Sequence, residues 1–331
     1  MRSKLVLVAN FLVGSGLLAY ILYRYGGGAV GLLAKDISPG FVAAFVGSVT
    51  ATLFCLTWRW RSLLSLLARS PSLLRMVLFR SAAQTLATLI PSGKLGGDPL
   101  RAWLVVRERV DAGSAIASVA VDRTLEVAST APFSLVFAAI LLQRGVPNIT
   151  EAMVTVLVAT VGLFVGIVIA VRRLRRGAGL VTALARNTKL NRFDFVQSRM
   201  HVLEDSESDV AKLADDSARI RAAFAKGIVA NLLVIAEFFF LLVAFGLPSD
   251  PVAIVAAVFA TGAAHMLPVP GGIGVLEGAQ VWIFSVLGYP ADVGLAVGLA
   301  ARLRELFWML PGLGYGLARW VSALRVRIRA S

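Results

Sequence analysis

The chain has one cysteine and two histidines in 331 residues. Cys55 alone excludes an intrachain disulfide, and with so few soft ligands a conventional zinc site is excluded as well. Charged residues make up only 16% of the sequence, against 58% hydrophobic. Nucleotide motifs are missing. "GGIGVLEG" has the wrong glycine spacing for a dinucleotide fingerprint and no strand before it, and "SGKLGG" lacks the Ser or Thr that follows Gly-Lys in a phosphate loop. The acids of "LEDSESDVAKLADD" are too scattered for a calcium loop. No dense Asp or His cluster is available to hold Mg²⁺ or act as nucleophile, which argues against a membrane enzyme acting on a lipid phosphate. The chain is expected to be a non-enzyme, with no cofactor and no metal.

What is present is apolar length. Mean hydropathy is +0.79, and several windows reach the ~20 apolar residues that cross a ~30 Å hydrocarbon core. The runs are continuous rather than alternating, which excludes a membrane β-barrel and leaves helices. Six spans are predicted, at about 5–23, 40–58, 114–142, 152–171, 227–245 and 291–318. "MRSK" precedes the first, and with no small-residue cleavage site after it this reads as an uncleaved span.

Thirty-three basic residues face 19 acids, a net charge of +14. In a soluble chain this would suggest nucleic acid. In an apolar one it marks cytoplasmic loops that meet anionic lipid, so no nucleic-acid partner is expected. With the N-terminus inside, exterior loops carry only Arg24, Lys35 and Arg144. Arg80, Lys94, Arg123, Arg302 and Arg304 fall at or near membrane depth, and the other 25 basic residues lie inside. Both termini, the polar segment 172–226 and the basic tail 319–331 are therefore expected in the cytoplasm, including the arginines of "WRWRSLLSLLARSPSLLR". Residues 172–226 read as a surface helix or loop.

The sequence divides into two similar halves, 1–143 and 144–318. Each reads span, span, broken segment, span. The first break is "IPSGKLGGDP", between apolar stretches 76–90 and 99–106. The second is "LPVPGGIGVLEG", between 252–267 and 273–288. Pro91 precedes Arg123 by 32 residues, and Pro268 precedes Arg302 by 34. Three crossings per half force the second half upside down relative to the first. The expected fold is an all-α polytopic membrane protein with an inverted-topology repeat, about six full spans and two broken, re-entrant hairpins. Interrupted segments at matching places point to a transport site near the midplane. The alternative is that both breaks are ordinary turns at the membrane surface.

Six acids lie within or near apolar segments: Asp98, Asp122, Glu126, Glu237, Glu277 and Glu305. Each costs ~2.5–3.5 kcal/mol at a span centre unless paired or watered. Arg123 with Glu126, and Arg302 with Glu305, are i,i+3 pairs on one helix face. They read either as mutual neutralisation or as an arginine in each half handling phosphate, for which a planar guanidinium is suited. The half-helix starts at Gly96-Gly97 and Gly271-Gly272 offer backbone donors to an anion. Glu277 reads as a partner for a cationic headgroup, a proton acceptor or a mate for Arg302. Glu237 lacks an evident partner, and His265 reads as a packed bundle residue rather than a switch. "GLFVG" at 162–166 and "GLAVG" at 294–298 have the spacing of helix-packing motifs.

The stretches "IPSGKLGGDPLRAWLV", "DRTLE" and "PVPGGIGVLEG" resemble the transmembrane flippase region of lysylphosphatidylglycerol synthase, over nearly the whole chain. The most specific parts are Gly-Gly-Asp at 96–98 and Pro-Gly-Gly-x-Gly-x-x-Glu at 270–277. In the full synthase the resemblance implies movement of an aminoacylated phospholipid from the inner to the outer leaflet, with a soluble aminoacyl-transferase domain following. Here the sequence ends at Ser331, as in stand-alone members associated with hopanoid, glycolipid or polyprenyl-phosphate pathways.

The expected function is lipid translocation through a polar cavity in a bacterial cytoplasmic membrane. The substrate-binding candidates are Lys94, Gly96, Gly97, Asp98, Arg101, Asp122, Arg123, Glu126, Gly271, Gly272, Gly274, Glu277, Arg302 and Glu305. The partners are membrane lipids: anionic or zwitterionic phospholipid, hopanoid, glycolipid or polyprenyl phosphate. The other reading is a non-catalytic partner that recruits a lipid or glycolipid biosynthetic enzyme through 172–226. A headgroup-sized cavity favours the first reading, and a collapsed centre with paired charges favours the second.

Overall fold

A computed structural model describes residues 2–35, 37–90, 96–143, 150–175, 200–265, 267 and 269–330. Eleven α-helices and one 3₁₀ turn account for the regular structure among these residues. They are α1 (Arg2–Lys35), α2 (Pro39–Leu67), α3 (Leu73–Leu89), α4 (Asp98–Val106), α5 (Ala112–Gln143) and α6 (Thr150–Arg175). The second half continues with α7 (Met200–Asp215), α8 (Ser217–Ala244), α9 (Pro251–Ala264), the turn Pro270–Gly272, α10 (Val275–Val286) and α11 (Ala291–Ala330). The fold is an all-α polytopic membrane protein. The six long helices α1, α2, α5, α6, α8 and α11 coincide with the six expected spans. Four of them, with α1 counted from Phe11, are both long and apolar enough to cross a membrane by composition alone.

The broken segments are helical hairpins with short legs. α3 has 17 residues, α4 has 9, α9 has 14 and α10 has 12. At 1.5 Å per residue, legs of this length reach from about 14 to about 26 Å, short of a ~30 Å core. Local chemistry sets their ends. Asp250 caps α9 by accepting from the N–H groups of Val252 and Ala253, with Pro251 in the first turn. Ser72 does the same for α3 through Arg75 N–H. The ends of the hairpins meet: Thr88 and Ile90 share a small cavity with His265, Leu267, Gly271 and Gly272.

The packing follows the two halves. α2 lies along α8, its counterpart, while α1 packs on α11 and α6 packs on α5. Exchanging the halves maps one of these contacts onto the other. The first hairpin is also anchored to the last span. Pro311 interrupts the α11 hydrogen-bond ladder, and Ser81 of α3 enters the gap. Its Oγ donates to Trp308 O at 2.7 Å and accepts from Gly312 N–H at 2.7 Å.

One apolar cluster joins Ile21 of α1 and Phe45 of α2 to Phe238, Ile283, Phe284 and Leu295 of the second half. α7 is more than a surface helix. It buries Leu213 among Leu63, Val121, Leu125 and Ala223, and Ser114 of α5 donates to its Asp209 at 2.7 Å. The two small-residue motifs separate. Gly294 and Gly298 lie against the backbone of Gln280, Val281 and Glu277, so "GLAVG" is a packing seam. Gly162 and Gly166 have open space where a Cβ would stand, so neither glycine makes a close backbone contact among the described residues.

Candidate functional site

The first hairpin, α2 and α5 bring four arginines and three carboxylates into one cluster. Asp122, fully buried on α5, is its centre. It accepts from Arg59 Nε at 2.7 Å, Arg80 Nη1 at 3.0 Å and Arg101 Nη2 at 2.6 Å. One turn on, Glu126 accepts from Arg80 at 2.8 Å, Arg123 at 2.9 Å and Arg59 at 3.3 Å. Asp98, at the start of α4, takes a two-pronged bond from Arg123, at 2.8 and 3.0 Å, and a longer one from Arg101 at 3.3 Å. The Arg101 guanidinium lies 4.2 Å above the Trp60 ring, which covers its apolar face.

A second cluster has the same logic with fewer cations. Glu277 turns back and accepts from Gly274 N–H at 2.9 Å, the one half of a capping box that a glycine N-cap allows at the start of α10. Arg302 of α11 bonds Glu277 at 2.7 and 3.1 Å, Glu305 at 2.9 Å, Gly272 O at 2.9 Å, and Gly271 O. Glu305 also lies 2.5 Å from His265 Nε2. Glu237, fully buried on α8, meets Arg304 at 2.5 Å and Trp308 Nε1 at 3.4 Å. Unpaired, these acids would each carry a large desolvation penalty. Paired, they tie each hairpin to the span that follows it: Arg123 reaches back to Asp98, and Arg302 reaches back to Glu277.

Between the clusters lies a cavity of about 330 Å³. From the first half it is lined by Arg59, Arg80, Arg123 and Glu126, and from the second by His265, Arg304 and Glu305. Gln84, Thr88, Ser129, Thr130, Ser134, Asn231 and Thr261 add amide and hydroxyl groups, while Phe133, Phe137, Phe238 and Phe259 add apolar wall. Its size lies at the lower end of the range for small-molecule sites, ~300–1,000 Å³. Arg59 Nη1 and Glu237 Oε1 are buried and have no hydrogen-bond partner among the described residues. In a bundle this apolar, a polar atom left over in that way is costly.

The structure sorts the residues singled out by the sequence. Arg123, Glu126 and Glu305 line the cavity. Asp98, Arg101 and Asp122 stand behind it and hold the lining arginines in place. Lys94 falls outside the described residues. Arg302 is not at the cavity, because it is committed to Glu277, Glu305 and two hairpin carbonyls. Arg304 takes that place. The expectation that Arg59 belongs with the cytoplasmic arginines is corrected: it is fully buried against Asp122. Arg59, Arg80, Glu237, His265 and Arg304 complete the site. Arg80, Glu237, His265 and Arg304 announce themselves as polar groups in apolar runs. Nothing in the order of residues marks Arg59.

The glycines work through packing. A Cβ on Gly97 would strike the Ala83 carbonyl and Ala87, so α4 lies hard against α3. Gly274 has φ +75°, and a Cβ there would run into the Gly14 carbonyl of α1. The N–H of the N-cap residue Gly274 is taken by the Glu277 carboxylate, and Arg302 covers the carbonyls of Gly271 and Gly272. The picture of an open anion-binding half-helix start at this break is therefore corrected. The seat is filled by the chain's own Glu277. We predict that Gly274→Ala lowers stability by at least ~1–3 kcal/mol, from overpacking and the left-handed backbone. A thermal melt of the detergent-purified protein would show a lowered midpoint, whereas Gly162→Ala should leave it unchanged.

Fold and site together define a multi-pass α-helical membrane protein with a cavity lined by charged groups between two hairpin-bearing halves. Residues 7–312 match the model of the lysylphosphatidylglycerol synthase TM region, and the chain belongs to that family. It is similar to two UPF0104 membrane proteins of Methanothermobacter thermautotrophicus. One is 23% identical over 318 residues, covering 91% of each chain, and the other is 25% identical over 344 residues, covering 95% of each.

Proposed function

We propose that this protein is not an enzyme and carries a phosphate-bearing lipid headgroup between leaflets through the central cavity. The observation that supports this most is the cavity itself. Complete neutralisation of each acid is what a purely structural role needs, and it could be met by a collapsed centre. A space of about 330 Å³ with cations from both halves on its walls is superfluous to that role. Arg80, Arg123 and Arg304 offer guanidinium groups to a phosphate, and Arg59 Nη1 has a donor unspent. The hydroxyl and amide wall suits the glycerol or sugar part of a headgroup. The acyl chains stay in the bilayer.

The experiment is photo-crosslinking with a phospholipid whose headgroup carries a diazirine, followed by peptide mapping. Crosslinks at cavity positions such as Ser129, Thr130 and Asn231, competed by unlabelled phosphatidylglycerol, support the reading. Label confined to outward-facing side chains such as Trp282 and Leu306 contradicts it.

We further propose that both termini and α7 face the cytoplasm, on the strength of the 23 basic residues that this arrangement puts inside once Arg59 and Arg101 are set apart with the buried cluster. The expected outcome uses a Cys55→Ser chain with one new cysteine at the exposed position Ser208. An impermeant maleimide should label it only after the cells are permeabilised. Labelling in intact cells reverses the topology.

A further inference from the structure

Moving 179 residues along the chain takes Asp98 to Glu277, Arg123 to Arg302, Glu126 to Glu305 and Pro132 to Pro311. The bonded pairs Arg123–Asp98 and Arg302–Glu277 both span 25 residues. The same move takes α3 onto α9 and α5 onto α11. Residues related in this way are counterparts in the two halves. Gln84 and Ala263, Glu126 and Glu305, and Ser129 and Trp308 are three counterpart pairs that line the cavity. The cavity therefore sits where equivalent surfaces of the halves face each other.

Each half is tied together from within. The ion pairs described above for the two clusters each join residues of one half. The legs of each hairpin are also held to one another. In the first, Gly97 lies against Ala83. In the second, Gln280 Nε2 donates to Ala257 O and to Thr261 Oγ1, both at 2.9 Å. Arg123 and Arg302 then bind each hairpin to the span that follows it. So α3 and α4 belong with α5, and α9 and α10 belong with α11. At the cavity the halves meet in two counterpart seams, α3 on α11 and α9 on α5.

The seams differ. The first is shut. A Cβ on Gly312 would strike the backbone of Ser81 and Ala82, and Ser81 Oγ bridges Trp308 O and Gly312 N–H at the Pro311 break. Phe79 and Tyr315 meet edge to face at 5.7 Å. At the counterpart positions the second seam is parted: Phe133 stands for Gly312 and Thr261 for Ala82, and both line the cavity. The sequence accounts for the difference. Phe133 puts a ring where Gly312 lets two backbones touch. Ala260, the counterpart of Ser81, has no hydroxyl to offer the Pro132 break. One contact thus occurs in two arrangements in the same molecule. In an inverted repeat such arrangements exchange when one half rocks against the other.

Resting on the carrier reading above, we propose that the two seams are the gates of the cavity, one toward each leaflet, and that the headgroup crosses as the α3–α11 seam opens and the α9–α5 seam closes. Ser81 and Gly312 hold the first gate. Phe133 and Thr261 close the second.

Two measurements test this, and they separate its failure from that of the carrier reading. The first uses a Cys55→Ser chain in nanodiscs with spin labels at two positions. Labels at the exposed residues Leu74 and Leu317 report the first gate, and labels at Ala139 and Ser249 report the second. Gly312→Ala overpacks the shut seam, which disfavours it by about 5–150-fold. Ser81→Ala keeps the shape of that seam and gives it the residue that the second seam has. Both variants should lengthen the first distance and shorten the second. Distances that stay fixed in both variants, or that do not change together, overturn the gates.

The second measurement locks the first gate. Phe79→Cys with Tyr315→Cys in the same chain is joined by a short bifunctional thiosulfonate. Movement of acyl-labelled phosphatidylglycerol in phosphatidylcholine vesicles is then read by leaflet-selective quenching. The cross-link should stop the movement, and a reductant should restore it. Movement that continues under a complete cross-link overturns the gates and leaves the carrier reading standing. No movement by the folded Cys55→Ser parent overturns the carrier reading, and the gates fall with it.

Discussion

The substitution Asp122→Asn will prevent the chain from accumulating as a folded protein. Asp122 is fully buried and is the acceptor shared by Arg59, Arg80 and Arg101. An amide there would keep the shape but remove the charge, so four arginines would face only Asp98 and Glu126. Breaking a buried ion pair by removing one partner costs about 3–5 kcal/mol. Against a typical total of about 5–15 kcal/mol, that loss alone is large, and here three partners lose their anion together. The measurement is size-exclusion chromatography and thermal unfolding of a fluorescent fusion in mild detergent. The expected profile is aggregated or absent. A monodisperse peak with an unchanged midpoint would mean that the buried cluster does not exist as described.

The second large effect separates structure from transport in the other half. Arg304→Ala strands Glu237, which is fully buried and keeps only a 3.4 Å contact with Trp308 Nε1. The single variant should fold poorly. Arg304→Ala with Glu237→Ala removes both charges and should recover most of the lost stability, as expected for a coupled pair. Transport should not recover, because the cavity has lost a guanidinium whose charged hydrogen bond to phosphate contributes ~1.5–3 kcal/mol, or about 10–150-fold. Arg302 should behave differently. Arg302→Ala with Glu305→Ala still leaves Glu277 buried without its cation, so the double change should not restore the fold. Melting midpoints of the three variants, compared with lipid movement by each, check both statements. Full recovery of transport in the Arg304/Glu237 double variant would assign Arg304 to structure alone.

The spans were legible in the sequence because membrane-length apolar runs have few alternatives. The hairpins were legible because Pro and Gly interrupt those runs, and the legs α4, α9 and α10, about 14 to 21 Å long, are shorter than a ~30 Å hydrocarbon core. The i,i+3 pairs were legible because helix geometry fixes them: Arg123 with Glu126 and Arg302 with Glu305 are both bonded at 2.9 Å.

What was hidden is long-range. Arg59 meets Asp122 across 63 residues, and "WRWR" by itself looks like any interfacial arginine cluster. Arg302 and Arg304 are two residues apart, so at about 100° per residue they point to nearly opposite sides of α11. Only the position of α8 and α10 decides which one faces the cavity. Glu237 needed that same information to find Arg304. The break glycines pointed equally to a ligand approaching the backbone and to a helix approaching it. Gly97 on Ala83, and Gly274 on Gly14, answer for the helix.

The most direct test of the central claim is lipid movement itself. Purified protein is reconstituted into vesicles with trace acyl-labelled phosphatidylglycerol, and the labelled lipid left unprotected is read with an impermeant quencher. The account predicts that the protected fraction falls within minutes in vesicles holding the protein. It should fall at least about tenfold more slowly with the folded Arg304→Ala/Glu237→Ala variant, the lower end of the loss expected for one charged hydrogen bond. If the intact, folded protein moves neither this lipid nor other phosphate lipids faster than protein-free vesicles do, the cavity is not a headgroup path and the account is contradicted.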